Sequence, residues 1–269
     1  MKLYVGCTGW NYSEWEGQFY PKGMDPQDYL PFYSKVFTYA EIDSSFQAMP
    51  DRFMTIGLNQ LTPDNFRFTA KFPRLITHDS RLAGPPSDLE TFFEMMKPLK
   101  GKLMALLIQL PSSLTAKEGM EKLKKMIPLF DRDFRYAIEV RHESWFNKDF
   151  YRLLSLNNIC LTWSVLDSIH AASEVTADFI YLRFMGEKRA NEKESSQIRN
   201  NRVAEMKAWA ARLRLVQDRV NLGIIAANNH YAGFGPASVN EFRKMIGLKA
   251  VAWDGKMENI DPQLSSKSD

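Results

Sequence analysis

Cysteine is scarce in this chain. Cys7 and Cys160 are its only two in 269 residues, too few for the disulfide framework of a small secreted protein, so both are expected as buried free thiols in a reducing compartment. Long apolar runs are also missing: no stretch approaches the roughly 18 to 20 uninterrupted residues a membrane helix needs. Met1-Lys2 leads straight into a strand-like segment without an apolar leader, so the expected location is cytoplasmic, with no membrane partner. Nor does charge of one sign dominate. The 35 Lys and Arg face 32 Asp and Glu, for a formal net charge of +3, which does not demand a nucleic-acid partner but leaves room for a local basic cleft. Phosphate-cradling glycine motifs are lacking as well. Gly6-Cys7-Thr8-Gly9 does not have the G-x-G-x-x-G spacing, and neither a Walker A sequence nor a G-x-S-x-G elbow occurs. No nucleotide cofactor is therefore implied, and covalent catalysis has little support.

What is present is an alternation of short apolar runs with helical patterns. Hydrophobic residues make up 45% and charged residues 25%, the composition of a globular chain able to bury a large core. Strands are expected at Leu3–Cys7, Tyr39–Asp43, Phe66–Lys71, Leu103–Leu110, Tyr136 onward, Ile159–Val165, Phe179–Phe184 and Val220–Ala226. Helical segments separate most of them, for example from Pro26 to Val36 behind a capping Asp25. A further helix is expected from Pro86 to Met96, with Ser87 as a possible cap. The near-continuous apolar character of Leu103–Leu110 favours a parallel sheet covered on both faces. Eight strands in such a length predict one (β/α)8 TIM-type barrel over residues 1–248, followed by a C-terminal extension over 249–269 whose end frays. A loop from Trp10 to Tyr20 carries a dense aromatic cluster, which can close a core or cap a site.

In such a barrel, functional groups come from the C-terminal ends of the strands. Period-two spacing places Glu41 with Asp43 on the second strand and Glu139 with Arg141 on the fifth. Lys71, Arg183 and the pair Asn228 and Asn229 end the third, seventh and eighth strands, and Gln109 is the polar group of the fourth. Carboxylates flanked by cations can divide acid and base roles, because their environments push their pKa values apart. A structural salt-bridge network is the alternative for the same residues. Of the four histidines, His78, His142 and His230 follow strands and are secondary proton-transfer candidates, while His170 has no assigned role. A metal held by histidines with Asp43 or Glu139 is geometrically conceivable but lacks any recognisable ligand spacing, and no metal site is assigned. The basic stretch from Lys188 to Arg219 reads as a mobile loop leading into a solvated helix face.

Several ordered motifs carry a family resemblance. They are G-C-T-G-W-N-Y-S-E-W-E-G-Q-F-Y-P at 6–21, A-E-I-D-S-S-F at 40–46, K-F-P at 71–73 and I-T-H-D-S-R-L at 76–82. I-Q-L-P at 108–111, I-E-V-R-H-E-S-W at 138–145, Y-L-R-F-M-G at 181–186 and N-N-H-Y-A-G-F-G-P-A from 228 follow, together with Asn240. The chain resembles the YecE-like family, domain of unknown function seventy-two, over about Leu3 to Gly247. The resemblance implies a TIM-type barrel and no settled activity, cofactor or substrate. It also implies that Trp10, Glu41, Lys71, His78, Arg81, Glu139, Arg141, Trp145, Arg183 and Asn229 occupy motif positions. Asp43, Gln47 and Met185 stand where the family commonly has asparagine, tyrosine and histidine, which removes two groups able to move protons.

The expected function is a hydrolase-like reaction on a small anionic metabolite, a phosphorylated sugar or nucleotide-like fragment, by acid–base chemistry. Glu139, with Asp43 or Glu41 as counterpart, would move protons. Arg141, Lys71 and Arg183 would hold the anion, and Asn228 or Asn229 would orient it, with Trp10, Arg81 and Trp145 as further contacts. A nucleic-acid-binding or phosphoester-processing barrel and a non-catalytic ligand- or protein-binding barrel are the alternatives. Oligomeric state is not legible from the sequence.

Overall fold

The computed structural model of the chain describes residues 1–169, 172–186 and 197–253. Strands β1 (Lys2–Thr8), β2 (Tyr39–Ile42), β3 (Arg67–Lys71), β4 (Leu103–Gln109) and β5 (Tyr136–Glu139) run parallel in chain order. They continue through β6 (Cys160–Leu161), β7 (Trp163–Val165), β8 (Phe179–Phe184) and β9 (Leu222–Ala227), and β9 returns to pair with β1. The sixth expected strand is thus broken in two. Its first half bonds β5 and its second half bonds β8, so only Thr162 separates the two ends of the nine-stranded order. The chain itself completes the ring there, giving the TIM-like α/β barrel that the strand count predicts.

Helices α1 (Tyr29–Val36), α2 (Ser44–Gln47), α3 (Arg52–Gln60), α4 (Pro86–Met96) and α5 (Ala116–Met126) occupy the first half. The second half has α6 (Lys148–Leu156), α7 (Val203–Val216), α8 (Asn229–Ala232) and α9 (Gly235–Met245). Two of these, α2 and α8, are single turns directly after strand ends and carry no helical periodicity to read in a sequence. The Pro26–Asp28 turn before α1 is capped by Asp25, which accepts from the Gln27 N–H at 3.0 Å. At α4, by contrast, the cap position is Pro85 and Ser87 lies inside the helix, so the expected Ser87 cap does not form.

The two faces of each strand divide the interior. Outward-facing apolar residues pack under the helices, and a smaller inner cluster of Tyr4, Tyr39, Ala105, Leu107, Ala137, Cys160, Tyr181, Ile224 and Ala226 fills the barrel. Above it, period two brings polar residues to the same interior at the C-terminal strand ends. Cys7 and Cys160 are buried free thiols, both pushed above the ordinary thiol value by burial. The first part of the C-terminal extension is tied down: Asn240 exchanges two hydrogen bonds with Val251, and the Trp253 indole donates to the Gln18 carbonyl at 2.8 Å. His170, residues 187–196 of the basic stretch and the end of the extension lie outside the described residues. No described helix is long and apolar enough to cross a membrane.

Candidate functional site

The stretch at the end of β5 and its partner on β8 organise the barrel mouth. Arg183, Glu41 and Glu139 have no exposed side-chain surface. Arg183 grips Glu41 with both arms of its fork, Nη2 to Oε1 at 2.6 Å and Nε to Oε2 at 2.9 Å, and turns Nη1 to Glu139 Oε2. Such a planar fork matches two carboxylates better than a lysine could. Glu139 Oε1 then accepts from Arg141 Nε at 2.8 Å, and Arg141 Nη2 reaches Gln109 at 3.3 Å. Beneath the triad, the Tyr181 hydroxyl donates to Glu41 Oε2 and joins the hydroxyls of Tyr39 and Thr69 at 3.0 and 2.7 Å. Burial alone would raise the Glu139 pKa, but Arg183 and then Arg141 outweigh it and hold the carboxyl well below the usual carboxylate range. The Arg183 guanidinium, which burial would weaken as an ion, is held even more firmly protonated by Glu139 and Glu41.

This depression has a signed consequence for stability. A carboxyl whose folded pKa lies below its unfolded value of about 4.3 stabilises the fold above that pH and loses the contribution as pH falls through the folded value. Thermal melts between pH 7 and pH 2 are expected to show a loss beginning below about pH 4. Glu139→Gln should lower the melting temperature at neutral pH and flatten this acid slope. An unchanged slope in Glu139→Gln would assign the acid sensitivity elsewhere.

Outside the saturated triad lies a second, partly exposed group. Asp43 sits just beyond β2 and pairs with Lys71 at 2.5 Å, its side chain 41% exposed against 9% for the lysine. Burial would raise the Asp43 pKa, yet the Lys71 ammonium holds it below the ordinary value. Lys71 also lies 5.4 Å from the Phe46 ring, whose other neighbour is His78, edge to face at 5.0 Å. His78 is pushed below its usual pKa by burial and then by Arg74, with Arg141 and Lys71 adding to the effect. Its Nδ1 lies 2.9 Å from the Thr77 hydroxyl. Tyr12 approaches from the aromatic loop: burial and then the neighbouring Asp43 raise its phenol pKa, while its hydroxyl donates to the Thr8 carbonyl at 2.8 Å.

The remaining sequence candidates divide clearly. Trp145 is fully enclosed, donating to the Leu114 carbonyl at 2.8 Å and packing on Phe150, so it braces the helical shell and is not exposed to a ligand. Arg81 forms a forked pair with Glu118 of α5 and bonds Ser113, which makes it a clamp between loops. His142 caps the turn at Glu143–Trp145 through the Ser144 N–H. Asn228 accepts from the His230 N–H, and Asn229 Oδ1 accepts from the Trp15 indole at 3.1 Å and the Gly235 N–H at 2.9 Å. Asn229 therefore anchors the aromatic loop and the start of α9, and Asn228 caps α8. Trp10 is half-buried against Phe68, and Trp15, Phe19 and Tyr20 close the core, so most of the aromatic loop serves packing. Arg183 also departs from its expected role. Its donors are spent on two carboxylates, which leaves it the pivot of the mouth and not a ligand clamp.

Sequence reasoning passed over Tyr12, Phe46, Thr69 and Tyr181. For Thr69 and Tyr181, the signal was the same period-two parity that marks Lys71 and Arg183. Among the described residues, no group of three or more His, Cys, Asp and Glu side chains is arranged to hold a metal.

The family model for "Protein of unknown function DUF72" matches residues 4–262. The chain belongs to the DUF72 family. Among its relatives, the UPF0759 protein YecE of Escherichia coli K12 is 27% identical over 146 residues, 54% of this chain and 51% of that one. The UPF0759 protein YunF of Bacillus subtilis 168 is 28% identical over 155 residues, 55% and 54% of the two chains. These alignments span about half the length of each relative. Solved DUF72 structures share the fold throughout. One from Thermotoga maritima MSB8 has a TM-score of 0.78 at 24% identity, covering 91% of this chain and 99% of that one. Another, from Enterococcus faecalis V583, has a TM-score of 0.76 at 21% identity, covering 92% and 96%.

Proposed function

We propose that this DUF72 barrel binds a small anionic metabolite, a phosphorylated sugar or nucleotide-like fragment, and acts on it by hydrolase-like acid–base chemistry at the mouth. The observation that carries the reading is the layering of charge. A buried, fully bonded triad forms a fixed floor, and the half-exposed Arg141, the Lys71–Asp43 pair and His78 stand above it. Two carboxylates against Arg183 leave one negative charge in the floor, and Arg141 balances it. An anion therefore binds by competing with Asp43 for Lys71 while meeting the outer edge of the Arg141 fork.

This arrangement redistributes the roles among the expected residues. Glu139 is held too acidic to exchange protons during turnover, and Glu41 is fully enclosed against Arg183, so their part is to fix Arg183 and Arg141. Asp43, ionised and partly exposed, is the group that takes a proton from water or a substrate hydroxyl. Lys71 is its proton-donating partner, and His78, held neutral, is a second acceptor.

The charge layering makes a direct prediction. In calorimetric titration at low salt, inorganic phosphate is expected to bind the wild type. Arg141→Met should weaken it about tenfold or more, the scale of a lost charge-assisted hydrogen bond. Asp43→Asn should tighten it by releasing Lys71. Absence of saturable phosphate binding by both the wild type and Asp43→Asn would remove the anion from this proposal.

The saturation of Glu41, Glu139 and Arg183 favours, as a second reading, a barrel that binds the same ligand without chemistry. An Asp43→Asn protein that binds more tightly but turns over an eventual substrate at the wild-type rate would select it. The nucleic-acid alternative draws less support. Lys71, Arg74 and Arg81 are each engaged by a carboxylate, from Asp43, Asp79 and Glu118. Arg202, just before α7, is held by Asp167, and Arg212 of α7 lies over Trp209.

A further inference from the structure

The segment that carries His78 leaves β3 in a turn with two unusual backbone features. Leu75–Asp79 forms a π-helix, closed by the Ser80 N–H on the Leu75 carbonyl at 2.9 Å, a rare geometry that occurs mostly at functional sites. Directly after it, Arg81 and Leu82 stand at φ 47° and 65°. Two consecutive left-handed residues that are not glycine are costly, because each Cβ crowds the carbonyl that follows. Among the described residues, the only other non-glycine at positive φ is Asn158, a type that tolerates it. Strained backbone persists only where its surroundings fix it. Packing fixes this turn in part, since Ile76 and Leu82 are buried but border a cavity of about 290 Å³ that runs to Met126 and Leu129. Side-chain bonds do the rest. Arg81 spends Nε and Nη2 on the two Glu118 oxygens at 2.8 and 2.6 Å, and Nη1 and Nη2 on the Ser113 hydroxyl and carbonyl at 3.0 and 3.2 Å. A two-pronged pair of this kind has the geometry that single surface ion pairs lack.

The strained pair and the π-helix are one unit. The Leu82 N–H bonds the Ile76 carbonyl at 3.0 Å, so the left-handed residues fold back on the turn that holds His78 against the Phe46 ring. We infer that Arg81 is a positioning residue: its fork on Glu118 and Ser113 latches the strained turn and thereby keeps His78 at the mouth. This inference rests on the reading of His78 as a proton acceptor there and adds what places it. Arg81 itself touches no ligand. Without the fork, the turn relaxes its left-handed pair into the cavity beside Ile76 and Leu82, and His78 moves away from Phe46, Lys71 and Arg141. Arg74 and Asp79 flank His78 on the same turn and pair with each other at 3.1 Å, so they travel with it.

The test is an NMR titration of the histidine ring protons in the full chain, with the His78 signal assigned by its loss in His78→Gln. No ligand is needed, so the result is independent of phosphate binding, on which the anion site stands. In the wild type, burial and the cations Arg74, Arg141 and Lys71 outweigh Asp79, and His78 titrates below the ordinary histidine value of about 6.5. Arg81→Ala keeps the left-handed cost but loses the fork, so His78 is expected to titrate higher, near that ordinary value. Glu118→Gln, which leaves residue 81 untouched, should move it in the same direction by less. Arg81→Gly loses the fork and the cost at that position together, because glycine adopts positive φ freely. It should therefore keep His78 closer to the wild type than Arg81→Ala does. A His78 titration unchanged in Arg81→Ala, with or without a lower melting temperature, would overturn the inference and leave Arg81 a structural clamp alone. Equal displacement in Arg81→Gly and Arg81→Ala would overturn it as well, since the strain would then have no part in placing His78.

Discussion

Arg183→Met is expected to be the most damaging single change at the mouth. Arg183 is fully enclosed and carries the only cation in contact with both Glu41 and Glu139 among the described residues. Methionine fills part of its volume but leaves two carboxylates facing one another without their shared counter-ion. Breaking a buried ion pair by removing one partner costs about 3 to 5 kcal/mol, because the charge that remains is desolvated and uncompensated. For a chain of this size that corresponds to a fall of roughly 6 to 20 °C in melting temperature. The triple variant Arg183→Met, Glu41→Gln, Glu139→Gln should recover part of the loss, since no unpaired charge is left behind. Thermal melts of the two proteins compare the cases directly. A single variant that melts within about 2 °C of the wild type would mean that solvent reaches the triad and that the mouth is not the dry floor described here.

Gly6→Ala is expected to be nearly as severe for a steric reason. A Cβ at Gly6 would lie 1.9 Å from the Tyr39 carbonyl oxygen, a backbone atom that no rotamer change can move. The crowding arises from how β1 and β2 are joined. The Tyr33 hydroxyl of α1 accepts from the Cys7 N–H at 2.7 Å and donates to the Tyr39 carbonyl at 2.9 Å. That carbonyl is therefore pinned against the glycine. Relief requires β1 to move away from β2, which disturbs the strand pair that supports Thr8 and Glu41. The expected cost is about 3 kcal/mol or more, at the upper end for overpacking, with a melting temperature lower by roughly 6 °C or more. Gly57→Ala is the matched control. Nothing lies within 4 Å of its added Cβ, and alanine inside α3 should stabilise by about 0.5 to 1 kcal/mol. Equal effects from both substitutions would show that the β1–β2 contact has more room than described.

Residues 43, 47 and 185 depart from the residues that the family resemblance implies, and the structure gives two of them definite settings. Asp43 neutralises Lys71, which an asparagine could bond but not balance in charge. Met185 is buried, with its N–H bonded to the Val165 carbonyl, at the end of the strand that carries Arg183. Gln47 is exposed at the end of α2, and nothing in the structure explains it. The electrostatics of this mouth therefore turn on Asp43, and Asp43→Asn is the variant that separates binding from proton transfer.

Much of the architecture was legible because it depends on local periodicity. Alternating apolar runs and helical patterns place the strands within a residue or two. Period two pairs Glu41 with Asp43 and Glu139 with Arg141, and the strand ends bring in Lys71 and Arg183, before any contact is known. The break of the sixth strand at Thr162 was not legible, because closing a ring is a demand of the whole sheet and leaves no mark in Ile159–Val165 alone. Nor could the sequence tell a saturated charge from an available one. Glu41, Glu139 and Arg183 look like Asp43, Lys71 and Arg141 in a strand pattern, and only the packing of β2, β5 and β8 around a common axis spends the first three on each other. Trp145 and Arg81 share motif stretches with mouth residues, yet the helical shell and a neighbouring loop claim them. The sequence by itself determined which residues could face the barrel axis, since side-chain parity is a property of each strand. The tertiary structure decided which of them are spent on one another and which still face solvent, because pairing depends on distances between strands that lie far apart along the chain.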